Sequence, residues 1–187
     1  CINYHIKQVA TPTNEMKWNA GFEEVDVGVE GSSWTKVGTA SAIDRTTAQS
    51  RTGSYSCKFT DLTTAYTGRG IKYDTVTITS DEYYEISAWF YASTGYNQAD
   101  IRIYAELFTA GDVSLGYVGQ YPTGTQLSAD TTWEQIVVST TTASNAAKAV
   151  LHIDAKETAA AATDLYIDDC SIGKDMVTVK NLAITCE

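Results

Sequence analysis

Histidine, proline and methionine are nearly missing from this chain, with two of each in 187 residues. The histidines, His5 and His152, stand far apart, so no histidine pair has the spacing of a metal site. There is no Gly-x-Ser-x-Gly, no phosphate-binding loop and no metalloprotease signature, which leaves the common hydrolase and nucleotide chemistries without a motif. No run of about eighteen apolar residues occurs, so no segment reads as a membrane-spanning helix. Basic residues are also scarce: 13 Lys and Arg stand against 23 Asp and Glu, a formal net charge of −10 and a pI of about 4.6. Without a basic patch, nucleic acid and anionic membranes are poor candidates for partners. The chain opens at Cys1 rather than Met, which reads as a processed or trimmed start, as in a mature secreted protein.

What is present is a folded composition, 43% hydrophobic with only 19% charged, at a length that suits one domain. Thr, Ala, Ser, Gly and Tyr dominate, with Val, Ile and Thr in short runs, as in all-β proteins. The most regular stretch is Glu82–Phe108. In steps of two, Tyr84, Ile86, Ala88 and Phe90 fall on one face, and Ile101, Ile103, Ala105 and Leu107 repeat it after a turn-rich break. These eight residues are expected in the core. Trp89, Tyr91, Arg102, Tyr104 and Glu106 then point to the other side of one sheet, with Gln135 and His152 as candidates to join them from later strands and Tyr117 and Tyr121 at a rim. Sugars present flat C–H faces and rings of hydroxyls; aromatic rings bury the former, and Arg, Gln, Glu and His hydrogen-bond the latter. The blander reading is that outward aromatics merely cover the sheet.

Elsewhere short runs of alternating character follow one another: Trp18–Val27, Tyr55–Phe59, Ile71–Thr79, Val113–Val118, Trp133–Thr140, Ala149–Asp154 and Leu165–Ile172. Roughly ten strands at about ten-residue spacing, with almost no helix, predict a β-sandwich jelly roll. Residues 17–173 form the expected domain, flanked by an N-terminal strand in 1–16 and a C-terminal strand in 174–187.

Five pieces occur in a telling order: Trp18-Asn-Ala-Gly-Phe-Glu23 with Trp34, Gly53-Ser-Tyr-Ser-Cys-Lys-Phe59, Tyr84-Glu-Ile-Ser-Ala-Trp-Phe-Tyr-Ala92, Thr132-Trp133, and Leu165-Tyr-Ile-Asp-Asp-Cys-Ser-Ile172. This order resembles the CenC-like carbohydrate-binding modules of the family four, nine and twenty-two type, over about residues 17–173. The resemblance implies a jelly roll of two antiparallel sheets, one of them concave and able to form a sugar cleft. It places Trp34 and Trp133 at framework positions, expected in the core. It also implies a structural calcium ion (Ca2+) held by Glu23 of the first strand and Asp168 of the last, with a carbonyl from the turn before Ser54, oxygen ligands that suit a hard cation. The alternative is that Glu23 and Asp168 cap backbone amides.

Four cysteines allow three pairings. In an extracellular chain the expected bridges are Cys57–Cys170, between strand-like segments, and Cys1–Cys186, near the ends; buried free thiols are the alternative.

The expected function is therefore non-catalytic binding of a polysaccharide or cell-surface glycan outside the cell. Jelly-roll polysaccharide lyases use Tyr, His, Arg and Asn in a groove, which makes Tyr104, His152 and Arg102 the catalytic alternative, but no spacing argues for a reaction. A second expectation concerns the flanks, CINYHIKQVA and MVTVKNLAITCE. As edge-seeking strands they could pair with identical subunits and make the chain a structural subunit of an extracellular filament or virion surface.

Overall fold

The computed structural model describes residues 13–16, 19–29, 32–38, 43–60, 70–94, 100–156 and 164–174. Among them there are thirteen strands and no helix. They are β1 (Thr13–Asn14), β2 (Trp34–Val37), β3 (Ile43–Thr46), β4 (Ser56–Phe59), β5 (Gly70–Tyr73), β6 (Val76–Thr77) and β7 (Tyr83–Ala92). Then follow β8 (Asp100–Phe108), β9 (Ser114–Gly119), β10 (Thr125–Gln126), β11 (Glu134–Thr141), β12 (Lys148–Lys156) and β13 (Leu165–Lys174). The first sheet runs β11-β7-β13-β4-β3, with β1 also on β13. The second runs β10-β8-β12-β5-β2, with β9 on β8 and β6 on β12. All the pairings are antiparallel. The all-β jelly roll expected from strand spacing is the fold observed.

The eight expected core residues of β7 and β8 are all buried, none above 3% exposed. Their two strands do not share a sheet, however. β7 pairs with β11 and β13, whereas β8 pairs with β12, β9 and β10. Each strand has one apolar face, and placing them in opposite sheets lets those faces cover each other across the core. Burial of each such Ile, Leu or Phe side chain stabilises the fold by about 1.5–3 kcal/mol.

The stretch expected as a strand over Trp18–Val27 is a set of turns in its described part, residues 19–29. Asn19 and Phe22 have φ of 48° and 62°, in the left-handed region that interrupts an extended chain. The Asn19 side chain holds this shape: Nδ2 donates to the carbonyls of Val25 and Ser32 (3.2 and 3.1 Å), and Oδ1 accepts from the Glu24 amide (3.0 Å). Phe22 thereby enters the core and stacks on Trp34 at 5.0 Å. Trp34 is buried as expected. Trp133 is not in the core: it is half-buried on the outer face of the first sheet, 5.6 Å from Tyr91.

The Cys57–Cys170 bridge is absent. Both residues are free thiols, 0% and 1% exposed. Cys57 pairs in register with Ile167, and Cys170 lies past a register shift that begins at Asp168, so the ladder does not set the two sulfurs opposite each other. They serve as small core residues, and burial pushes both thiols far above their ordinary pKa. Cys1 and Cys186 lie outside the described residues, as do most of the two terminal strands, Trp18 and His5. Thr13 and Asn14 do pair directly with Lys174 and Gly173, so this part of the N-terminal flank belongs to the first sheet.

Candidate functional site

The candidate ligand residues divide between the two sheets. Trp89 and Tyr91 lie on the outer face of the first sheet, with Gln135 directly opposite Trp89. Arg102, Tyr104 and Glu106 lie on the outer face of the second sheet, with His152 directly opposite Tyr104. One surface for all seven residues is therefore excluded. The period-two alternation correctly separated inward from outward residues, but the outward sides of β7 and β8 face opposite directions.

On the first sheet the aromatics are engaged with one another or with the protein. The Arg51 guanidinium covers Trp89, 3.8 Å from the ring centre. Tyr91 meets Trp133 at 5.6 Å and Tyr166 edge-on at 5.8 Å. Gln135 is exposed.

The second sheet presents a more connected group. Its strand order sets the outward residues in rows: Tyr104, His152, Lys72 and Thr35 in one, Arg102 and Asp154 in the next. Tyr104 and His152 stack nearly parallel, 8° apart at 4.9 Å. Tyr117 and Tyr121 stand above Tyr104, at 5.5 and 5.1 Å, and lie 4.5 Å from each other. Both are close to half exposed, at 47% and 45%, whereas Tyr104 is 6% exposed. They form the rim, and Tyr104 and His152 the floor.

Charge is placed beside the rings. Asp154, 5% exposed, accepts a hydrogen bond from the Tyr104 hydroxyl at 3.0 Å and pairs with the Arg102 guanidinium. Arg102 also lies 5.2 Å from the Tyr121 ring centre, within cation–π range. Glu106 accepts from the Ser114 hydroxyl at 2.7 Å, and its other oxygen is 3.8 Å from His152 Nε2. That nitrogen is buried and makes no hydrogen bond. Burial holds the His152 pKa below its ordinary value, against the pull of Asp154 and Glu106, so the ring is neutral at pH 7. Burial, then the charge of Asp154 and the bond to it, hold the Tyr104 phenol above its ordinary value. A phenol that donates to a carboxylate is a poor general base.

Asp154 was not singled out from the sequence. The signal was available, because it follows His152 by two residues in an alternating strand and so shares its face. Gly70 was also missed. It sits opposite Asp154 in register, and a Cβ there would come 2.1 Å from Asp154 Oδ1. A residue without a side chain at this position makes the room into which the carboxylate folds.

Glu23 and Asp168 approach the same turn, residues 49–55, but the oxygens of both face N–H groups. Glu23 accepts from the amides of Ser54 and Tyr55 (2.9–3.1 Å), and Asp168 from those of Arg51, Thr52 and Asp169 (2.7–3.2 Å). Burial raises Asp168 to a pKa of about 6, opposed first by the Arg51 amide. Among the described residues no group of three or more His, Cys, Asp or Glu is placed to hold a metal ion. Both carboxylates are engaged with backbone amides, as the capping alternative has it.

A two-sheet jelly roll carrying rings and hydrogen-bonding groups on one outer sheet face has the form of a carbohydrate-binding module. Residues 14–161 match the family described as "Carbohydrate binding domain", and the chain belongs to that family. This bears out the resemblance drawn from the motifs. Among solved structures, the CBM22-1 xylan-binding domain of Paenibacillus barcinonensis Xyn10C is 21% identical, with 85% of this chain and 94% of that one covered and a TM-score of 0.56. The C-terminal family 22 carbohydrate binding module of Clostridium thermocellum Xyn10B is 14% identical, with 86% and 98% covered and a TM-score of 0.54. The same fold also appears in the bacteriophage CBA120 tailspike protein 4, at 14% identity over 86% of this chain and 21% of that one, TM-score 0.57. No curated protein matches the sequence.

Proposed function

We propose that this chain is a non-catalytic, extracellular module that holds a polysaccharide on the outer face of its second sheet. The observation that carries this reading is the cluster of Tyr104, His152, Tyr117 and Tyr121 with Arg102, Asp154, Glu106 and Lys72 on one sheet face. The half-exposed rings of Tyr117 and Tyr121 offer apolar surface to a sugar ring. Glu106 and exposed Lys72 flank the rings with groups that hydrogen-bond hydroxyls. The xylan-binding domain among its structural neighbours makes xylan the first ligand to test.

Affinity electrophoresis in gels containing soluble xylan, β-glucan or mannan tests the reading. Retardation in at least one gel is expected, with xylan first, and isothermal titration with xylohexaose then gives the affinity. Migration unchanged by every polysaccharide would overturn it. The self-assembly reading rests on terminal strands that lie mostly outside the described residues; the described part, Thr13–Asn14, pairs with Gly173 and Lys174 of the same chain.

A further inference from the structure

We propose that the turn over residues 49–55 is anchored by two arginines and a set of backbone amides, and that the module is stable without a metal ion at this position. The turn joins β3 to β4 and has to be fastened to three other parts of the chain: residues 19–24, β7 and β13. A metal ion does such fastening by collecting oxygens, about six to eight of them at 2.3–2.6 Å for calcium. In this chain the same fastening is made by nitrogen donors.

Arg45 reaches back from β3. Its Nε donates to the carbonyl of Phe22 at 2.6 Å and its Nη2 to the carbonyl of Glu23, and its guanidinium lies 3.3 Å from the centre of the Tyr55 ring. One side chain thus joins residues 22–23 to the turn and engages both of their carbonyls. Arg51 does the same on the other side. Its Nη1 donates to Asp169 at 2.6 Å, and its guanidinium rests on Trp89 at 3.8 Å, joining the turn to β13 and β7. Thr52 adds a hydroxyl bond to Asp169 at 2.6 Å.

The space is taken as well as the ligands. Gly53 has φ of +61°, and a Cβ built there would lie 2.4 Å from the Glu23 carboxyl carbon. The carboxylate is pressed against the turn backbone, with its oxygens on the amides of Ser54 and Tyr55. An ion entering between them would have to break those hydrogen bonds and sit beside two fixed positive charges. The arrangement also assigns Trp89 a role: it is the surface against which Arg51 is stacked.

The experiment is thermal melting of the whole chain, followed by circular dichroism, in millimolar calcium and in excess EDTA, with equilibrium dialysis against calcium alongside. The melting temperature is expected to be the same in both buffers, with no calcium retained. A rise with calcium that EDTA reverses, or retention of about one ion per chain, would overturn the proposal. Arg45→Met and Arg51→Met are each expected to melt roughly 2–4 °C lower and to be cut faster by protease within residues 47–55, with no recovery in calcium. Recovery in calcium would refute the claim. Should either variant fail to fold, the calcium and EDTA melts of the unaltered protein decide the matter alone. None of these measurements depends on whether a glycan binds.

Discussion

Replacing Tyr117 and Tyr121 by alanine separates the two aromatic surfaces. With about 200 Å² for a whole tyrosine side chain, exposures of 47% and 45% leave roughly 90 Å² of each in water. A pyranose lying against half of that removes about 45 Å² from solvent, which at about 25 cal/mol per Å² is about 1.1 kcal/mol, or roughly sixfold in Kd for each ring. Independent rings would give about fortyfold together, but these two lie 4.5 Å apart and share a surface, so the double variant is expected between those limits. Titration calorimetry with xylohexaose, or with whichever glycan retards the protein most, measures it. Both rings also pack on Tyr104 and on each other, so each truncation should cost about 0.5–1.5 kcal/mol of stability per ring pair lost, which a urea melt of the variants reads separately from the affinity. Trp133→Ala, on the first sheet, serves as the comparison and should leave the affinity unchanged. If the tyrosine variants bind as before while Trp133→Ala loses binding, the site is on the wrong sheet and the reasoning fails.

Other outcomes follow from the same geometry. Gly70→Ala places a methyl group 2.1 Å from Asp154 Oδ1 and 3.1 Å from the Ile153 carbonyl, so it should destabilise the fold by about 1–3 kcal/mol in urea and weaken binding as Arg102 and Tyr104 lose their partner. An unchanged urea midpoint would show that the carboxylate has other room. Burial lowers the His152 pKa, so the unfolded chain takes up that proton first; its contribution to stability is present above about pH 6.5 and is lost as pH falls through the lower folded value. His152→Phe should flatten that part of the stability profile, and an identical profile would exclude His152 as its source.

The cysteines give a further check. Thr13 pairs directly with Lys174, and Cys1 and Cys186 stand the same twelve residues away from them along the chain. In oxidised glutathione, exchange is expected to join Cys1 to Cys186, with release of reduced glutathione, and to leave Cys57 and Cys170 as thiols. Peptide mapping without reduction reads the result; a linked Cys57 would contradict its burial as a free thiol.

Much of the fold was legible because burial imposes a period of two on each strand. Tyr84, Ile86, Ala88 and Phe90 needed no partner to be read as inward-facing, and neither did Ile101, Ile103, Ala105 and Leu107. The turns over residues 19–29 were not legible, since Phe22 at positive φ is chosen by its place against Trp34 and not by local preference. The site was half legible. Tyr104, His152, Arg102 and Glu106 share one sheet face as expected, with Tyr117 and Tyr121 beside them, whereas Trp89, Tyr91 and Gln135, expected with them, lie on the other sheet. Asp154 was overlooked, although it stands two residues from His152.

Alternation along each strand, the acidic balance and the ordered motifs belong to the sequence alone, and they suffice for an all-β module of the carbohydrate binding domain family. Sheet membership does not. Whether Trp89 and Tyr104 look the same way depends on which strands β7 and β8 pair with, and those partners lie far along the chain. The hydrogen-bond partners of Glu23 and Asp168 are set in the same way. A carboxylate in a sequence fits a metal ion or an amide equally well, and only the folded turn, with Arg45 and Arg51 brought against it, supplies the N–H groups that take it.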